Sequence, residues 1–195
     1  MVTLNGPGLS RNREGGSLIF ERTRLGGVYT IDAELHEDRR GFFARTWCQK
    51  EFEDHGLNPR LVQCNISFNL KKGTLRGMHY QEAPFEEAKL VRCTMGAICD
   101  VVVDLRPGSP TFREYLAMTL SEENRKMLYI PEKFAHGFIT LEDNTEVFYQ
   151  MSEFYSQESA RGFRWNDPFF GIRLPIEVAV ISERDRDYPD FRLRS

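Results

Sequence analysis

The 195-residue sequence lacks several features on which broad function classes depend. No apolar run approaches the roughly 18 residues needed to suggest a membrane-spanning helix, and the N-terminus has no basic, then apolar, then small-residue signal. A cytoplasmic protein with no membrane partner is expected. There is no run of five like charges: 26 basic and 29 acidic residues are interspersed to a formal net charge of -3. This argues against a nucleic-acid surface and for a small or locally recognised partner. The four cysteines, Cys48, Cys64, Cys93 and Cys99, have no CxxC spacing. They therefore suggest neither a disulfide framework nor a cysteine metal site and read as buried thiols. Histidine is also scarce, with His36, His55, His79 and His136 only, and no HxH pair stands among them. A histidine-rich metal centre is not supported.

The chain is long enough to bury one sizeable core. Residues 1–16, with Asn5-Gly6-Pro7-Gly8 and Gly15-Gly16, read as a flexible leader, and residues 17–195 as a single domain. Two short strands are expected at 17–21 and 29–35, leading to a polar turn at Glu37-Asp38-Arg39-Arg40-Gly41. Further strands are expected at 61–68, 74–81, 89–94, 97–105, 111–120, 126–130, 136–141 and 146–154, each of these closed by Gly, Pro, Asn or Asp. One short helix is expected from about Cys48 to His55, stopped by Gly56. Many short strands with scarcely any helix make an all-β antiparallel sandwich or barrel. Ala97–Leu105 is apolar on both faces except for Asp100 and Asp104, as in a central strand covered on both sides. Trp165-Asn166-Asp167-Pro168 opens a less regular tail that ends in Ser182-Glu183-Arg184-Asp185.

The stretch Ser67–Gln81 concentrates the chemistry, because it places an arginine and a histidine inside a strand. Lys71-Lys72-Gly73 reads as a hairpin turn, with Thr74 resuming the strand. Regular alternation would put Arg76 and His79 on opposite faces. A bulge at Gly77 would bring both to one side, setting a fixed positive charge beside a proton-transfer group. That pairing suits an anionic substrate.

His36 and His55 lie in polar settings and read as surface residues. His79 and His136 read either as satisfied core histidines or as functional groups. A metal-free reaction needs a base, an opposed acid and a group that stabilises developing negative charge. His79 has the right type for the base, and Lys89 opens a strand expected beside that of His79. Tyr149 reads either as a packing residue or as a phenolic acid.

Thr74–Gln81 (TLRGMHYQ), Lys89–Arg92, Tyr129-Ile130-Pro131 with Phe134–Phe138, Val147–Tyr149, Trp165–Pro168 and Ser182–Asp185 together resemble the dTDP-4-dehydrorhamnose 3,5-epimerase family, over roughly residues 19 to 190. The resemblance implies a cupin-type jelly roll, with one or two short helices, that acts as a homodimer on a nucleotide-diphosphate sugar without metal or other cofactor. It implies His79 as base with Asp185 as its dyad partner, Lys89 beside the ketone oxygen, and Tyr149 as acid on the opposite face. It further implies that Arg40, Arg76, Gln63, Asn65, His136, Tyr155 and Arg184 contact the substrate, with guanidinium groups suited to a diphosphate. Three positions differ from the family's usual pattern: Arg45 and Ala160 stand where it has acids, and Arg184 where it has lysine. The reaction implied is inversion at carbon 3, carbon 5 or both of a dTDP-4-keto-6-deoxyhexose through an enolate. The alternatives are a carbon-3-only epimerase, a non-catalytic nucleotide-sugar-binding barrel and, last, a metal-dependent cupin oxygenase. Binding alone does not need an acid and a base on opposite faces.

Overall fold

A computed structural model describes residues 16–192. The leader expected over 1–16 therefore lies outside the described residues except for Gly16. In chain order the strands begin with β1 (Leu18–Arg22), β2 (Tyr29–Ala33), β3 (His36–Asp38) and β4 (Gly41–Phe43), and helix α1 (Gln49–Asp54) follows. Next come β5 (Gln63–Asn69), β6 (Thr74–Gln81), β7 (Lys89–Met95), β8 (Ala97–Asp104), β9 (Tyr115–Ser121), β10 (Met127–Ile130), β11 (Phe134–Thr140) and β12 (Thr145–Met151). The tail adds β13 (Ala160–Gly162), β14 (Val180–Ile181) and one helical turn, α2 (Glu183–Arg186).

Twelve of these strands form two sheets, ordered β1-β2-β10-β7-β12-β5 and β13-β6-β11-β8-β9, with β14 pairing in parallel alongside β6, and β3 and β4 form a separate two-stranded sheet. All the other strand pairs are antiparallel. The architecture is the expected jelly-roll sandwich. Its interior is filled by alternate residues of the two inner faces, including Val91, Leu128 and Val147 from one sheet and Ile98, Val102, Phe134 and Phe138 from the other. Each outer face is covered in turn. α1 lays Phe52 over Leu90, Met127 and Tyr129, while the tail lays Phe163, Phe170 and Ile172 over Leu75, Val101 and Ile139. At about 1.5–3 kcal/mol for each large side chain removed from water, these three layers hold the sheets together. β8, buried along its whole length between β11 and β9, is the central strand expected of Ala97–Leu105.

Four expectations need correction. Lys71-Lys72-Gly73 does not close a hairpin: β5 and β6 belong to different sheets, and the turn carries the chain across the sandwich. The polar segment 37–41 is not just a turn, because β3 and β4 pair around it as a two-stranded hairpin. The cysteines are not uniformly buried, since Cys64 is exposed on edge strand β5 and Cys48 is half-buried. Burial pushes the thiols of Cys93 and Cys99 up to about 11. Finally, β7 is not beside β6, so Lys89 faces His79 from the opposite sheet.

Candidate active site

One end of the sandwich opens into a cavity of about 470 Å³, within the size range of small-molecule sites. β6 supplies one wall. Two residues of β6, Gly77 and Met78, stand against Gly137 alone, because the pairing slips between His136↔His79 and Phe138↔Arg76. This is the bulge expected at Gly77, and it turns both Arg76 and His79 into the cavity while Leu75 and Met78 pack on the outer layer. Glycine is required there. Gly77 has φ +119, and a Cβ on it would sit 2.6 Å from Gly137 Cα.

The bulge also aims the Gly77 N–H at Asp185. Asp185 Oδ2 accepts that N–H at 3.1 Å, and Oδ1 lies 2.7 Å from His79 Nε2. β14 brings the tail back along β6, and Ser182 Oγ caps α2 by accepting the N–H of Asp185. Burial alone would raise the Asp185 carboxyl. The hydrogen bond and charge of His79, the Gly77 N–H and Arg184 outweigh it, holding Asp185 below the ordinary aspartate value. With Nε2–H bound to this carboxylate, Nδ1 is the basic nitrogen of His79.

Beside it on β11, His136 lines the same wall and presents Nε2 to the fully buried Asp100 Oδ2 at 2.8 Å, a second histidine–aspartate pair. The opposite wall comes from the other sheet: Lys89, Met151 and Gln63, which form one cross-strand row, and Tyr149, which stands in the next row between Val91 and Asn65. Burial raises the Tyr149 phenol, and nearby Arg76 pulls it partly back down. Histidine and tyrosine thus face one another across the space that a ligand would fill.

Gln63, Arg76, His136, Tyr155, Arg184 and the four residues expected to carry the chemistry all line the cavity. Asn65 is not among the lining residues; its Oδ1 accepts from Gln63 Nε2 at 3.1 Å. Arg40 is also absent from the lining of its own chain's cavity and pairs with Asp38 on the exposed β3–β4 hairpin. Sequence reasoning missed several residues. Asn69 accepts the Arg76 Nε–H at 2.7 Å, and the polar alternation Gln63, Asn65, Ser67, Asn69 on β5 would have shown it. Gln81 ties two mouth loops by donating to the carbonyls of Phe85 and Phe154 and accepting the Ser156 N–H. Tyr188 packs edge-on to His79, ring centroids 6.0 Å apart, and its hydroxyl accepts from Arg184 Nε. Glu87 had no sequence signal.

The family model described as dTDP-4-dehydrorhamnose 3,5-epimerase matches residues 22–192. This chain belongs to the dTDP-4-dehydrorhamnose 3,5-epimerase family. It is an isomerase. A dTDP-4-dehydrorhamnose 3,5-epimerase of Methanothermobacter thermautotrophicus is 43% identical over 89% of this chain and 94% of its own length. A crystal structure of the Bacillus anthracis enzyme, with TDP and pyrophosphate bound, superposes with a TM-score of 0.86 at 36% identity, covering 90% of this chain and all of the other. A 3'-monoepimerase from Streptomyces bikiniensis, in complex with dTDP-quinovose, gives 0.79 at 29% identity over 86% and 85% of the two chains.

Of the three departures from the family pattern, Arg45 lies away from the cavity and is neutralised by Glu51 at 2.9 Å. Ala160 and Arg184 do line it. Arg184 Nε donates to the Tyr188 hydroxyl, and Tyr155 is a second side-chain partner of the same guanidinium at the cavity mouth.

Proposed function

We propose that this protein epimerises a dTDP-4-keto-6-deoxyhexose at carbons 3 and 5 by proton removal and return. The observation that carries the reading is the opposition of the Asp185-bound His79 on one sheet and Tyr149 on the other. His79 Nδ1 takes a proton from a carbon next to the ketone, and the electron pair moves onto the carbonyl oxygen as the enolate forms. Lys89 stands by that oxygen, where a pre-aligned cation in a water-poor site supplies several kcal/mol. Tyr149 then gives its proton to the same carbon from the other face, inverting it. Solvent exchange restores both groups, so the cycle balances without metal or redox chemistry.

Arg76, oriented by Asn69, and Arg184 hold the diphosphate. Tyr155, about half exposed at the mouth, stacks on the base. The identities favour action at both carbons, being higher to 3,5-epimerases than to the monoepimerase.

The working unit in this reading is a cytoplasmic homodimer. Ile66 and Phe68 on edge strand β5 and Phe42 and Phe43 on the β3–β4 hairpin are 47–61% exposed, an apolar surface suited to a second copy. Arg40, on that same hairpin, then reaches the partner's cavity rather than its own.

Mass spectrometry of dTDP-4-keto-6-deoxyglucose incubated with the protein in deuterated water tests the assignment. Two deuterons above the enzyme-free control are expected. One deuteron would mean a single-centre epimerase, and none would overturn the reading.

A further inference from the structure

Glu87 stands two residues before Lys89, the first residue of β7, and both side chains line the cavity. The residue between them fixes this placement. Ala88 donates its N–H to Ser152 Oγ, and the Ser152 N–H returns to the Ala88 carbonyl. Glu87 Oε1 lies 2.7 Å from Lys89 Nζ, with the two side chains 4% and 11% exposed. Glu87 Oε2 is buried and has no hydrogen-bond partner among the described residues.

That pattern differs from a carboxylate kept for the fold. Asp104, fully buried, has both oxygens satisfied by Arg106, Ser109 and Thr111. Among the described residues Glu87 is held by the lysine alone. A carboxylate so close also offsets part of the lysine's field at a bound ketone, so charge is not what it contributes. What it does supply is place. A lysine has a long stem with much rotamer freedom, and an anchored ammonium keeps one N–H on the anchor and turns the others outward.

We propose that Glu87 is a positioning residue, which pins the Lys89 ammonium to the cavity wall so that its free N–H groups meet the ketone oxygen where enolate charge develops. This rests on the epimerase reading above, in which Lys89 stabilises the enolate.

The test compares the full-length wild type with Glu87→Ala, Glu87→Gln and Glu87→Asp. Three quantities are read: deuterium incorporation into saturating dTDP-4-keto-6-deoxyglucose, affinity for dTDP, which carries no sugar, and thermal stability. Glu87→Ala should lose about tenfold or more in exchange rate, because small misplacements of a reacting group are expensive. Glu87→Gln, which offers Nζ a carbonyl oxygen at the same place, should recover most of that loss. dTDP affinity should stay within about twofold in both, since only the sugar end is affected. If Glu87→Ala does not fold, Glu87→Asp decides: it keeps the charge, retracts the anchor by one methylene and should be slow. A wild-type rate in Glu87→Ala or Glu87→Asp would overturn the proposal. So would a Glu87→Gln rate as low as that of Glu87→Ala, or dTDP affinity falling in parallel with rate. An inert wild type would overturn the epimerase reading and this inference with it, whereas an active wild type with unaffected variants would overturn this inference alone.

Discussion

His79 and His136 stand directly opposite one another on β6 and β11, and each holds a carboxylate through Nε2. Their surroundings separate them. The His79 side chain is 38% exposed, and its partner Asp185 keeps a second donor in the Gly77 N–H. Asp100 is fully buried, and its other oxygen has no partner among the described residues. His79→Ala should therefore abolish deuterium exchange while leaving dTDP affinity within a few fold and stability nearly unchanged. His136→Ala strands a buried carboxylate and should cost about 1–3 kcal/mol, read as a melting temperature lower by several degrees. Full exchange in His79→Ala would remove it as the base.

Tyr149 separates proton return from proton removal. Tyr149→Phe should lower the yield of epimerised product about 10²–10⁴-fold, the range of a lost general acid, with dTDP affinity retained. Because burial holds the phenol above the ordinary tyrosine value of 10.0, despite Arg76, the group stays protonated through neutral and mildly basic pH. A basic limb below that value in the pH–rate profile must then belong to another group. A limb below 10.0 that disappears in Tyr149→Phe would contradict this.

Acid stability should depend on Asp104. Burial raises its carboxyl, but Arg106, Ser109, the Arg106 N–H and Thr111 outweigh this and bring it down to about 2. A group lowered in the folded state stabilises above its unfolded value and loses that contribution as pH falls through the folded one. The stabilisation is about 2 kcal/mol near neutrality and fades between about pH 4 and pH 2. Asp104→Asn should lower the melting temperature at pH 7, and the difference from wild type should narrow in urea or thermal melts below pH 3.

Arg40 tests the homodimer. If it serves the partner's cavity, Arg40→Ala and His79→Ala homodimers are both impaired, yet mixed dimers contain one site with both residues intact. Co-refolding the two variants should restore exchange above either alone. No gain on mixing, with dimers verified by sedimentation, would return Arg40 to a role within its own chain or to none.

Alternation and turn residues made the strand-rich sandwich legible, and in Thr74–Gln81 the glycine announced the bulge that brings Arg76 and His79 together. The sheet assignment of that strand was not legible. Lys71-Lys72-Gly73 has turn chemistry, but local residues do not say whether a turn closes a ladder or crosses a sandwich, which is decided by the distant pairing of β5 with β12 and β6 with β11. The same limit hid Glu87, an ordinary surface type in an acidic loop until β7 turns it inward against Lys89. Cys64 failed for a related reason, since being on an edge strand is a property of the sheet and not of the residue.

The carboxylate that holds His79 arrives on the tail, 106 positions later in the chain, docked by β14 along β6. All the strands of both sheets precede Asp185 in the chain, and Arg184 and Asp185 add the last part of the cavity lining. A nascent or clipped chain ending before Ser182 would keep the strands of both sheets but have an unsupported imidazole, so the keto sugar would meet a working base only once the segment after β14 is in place.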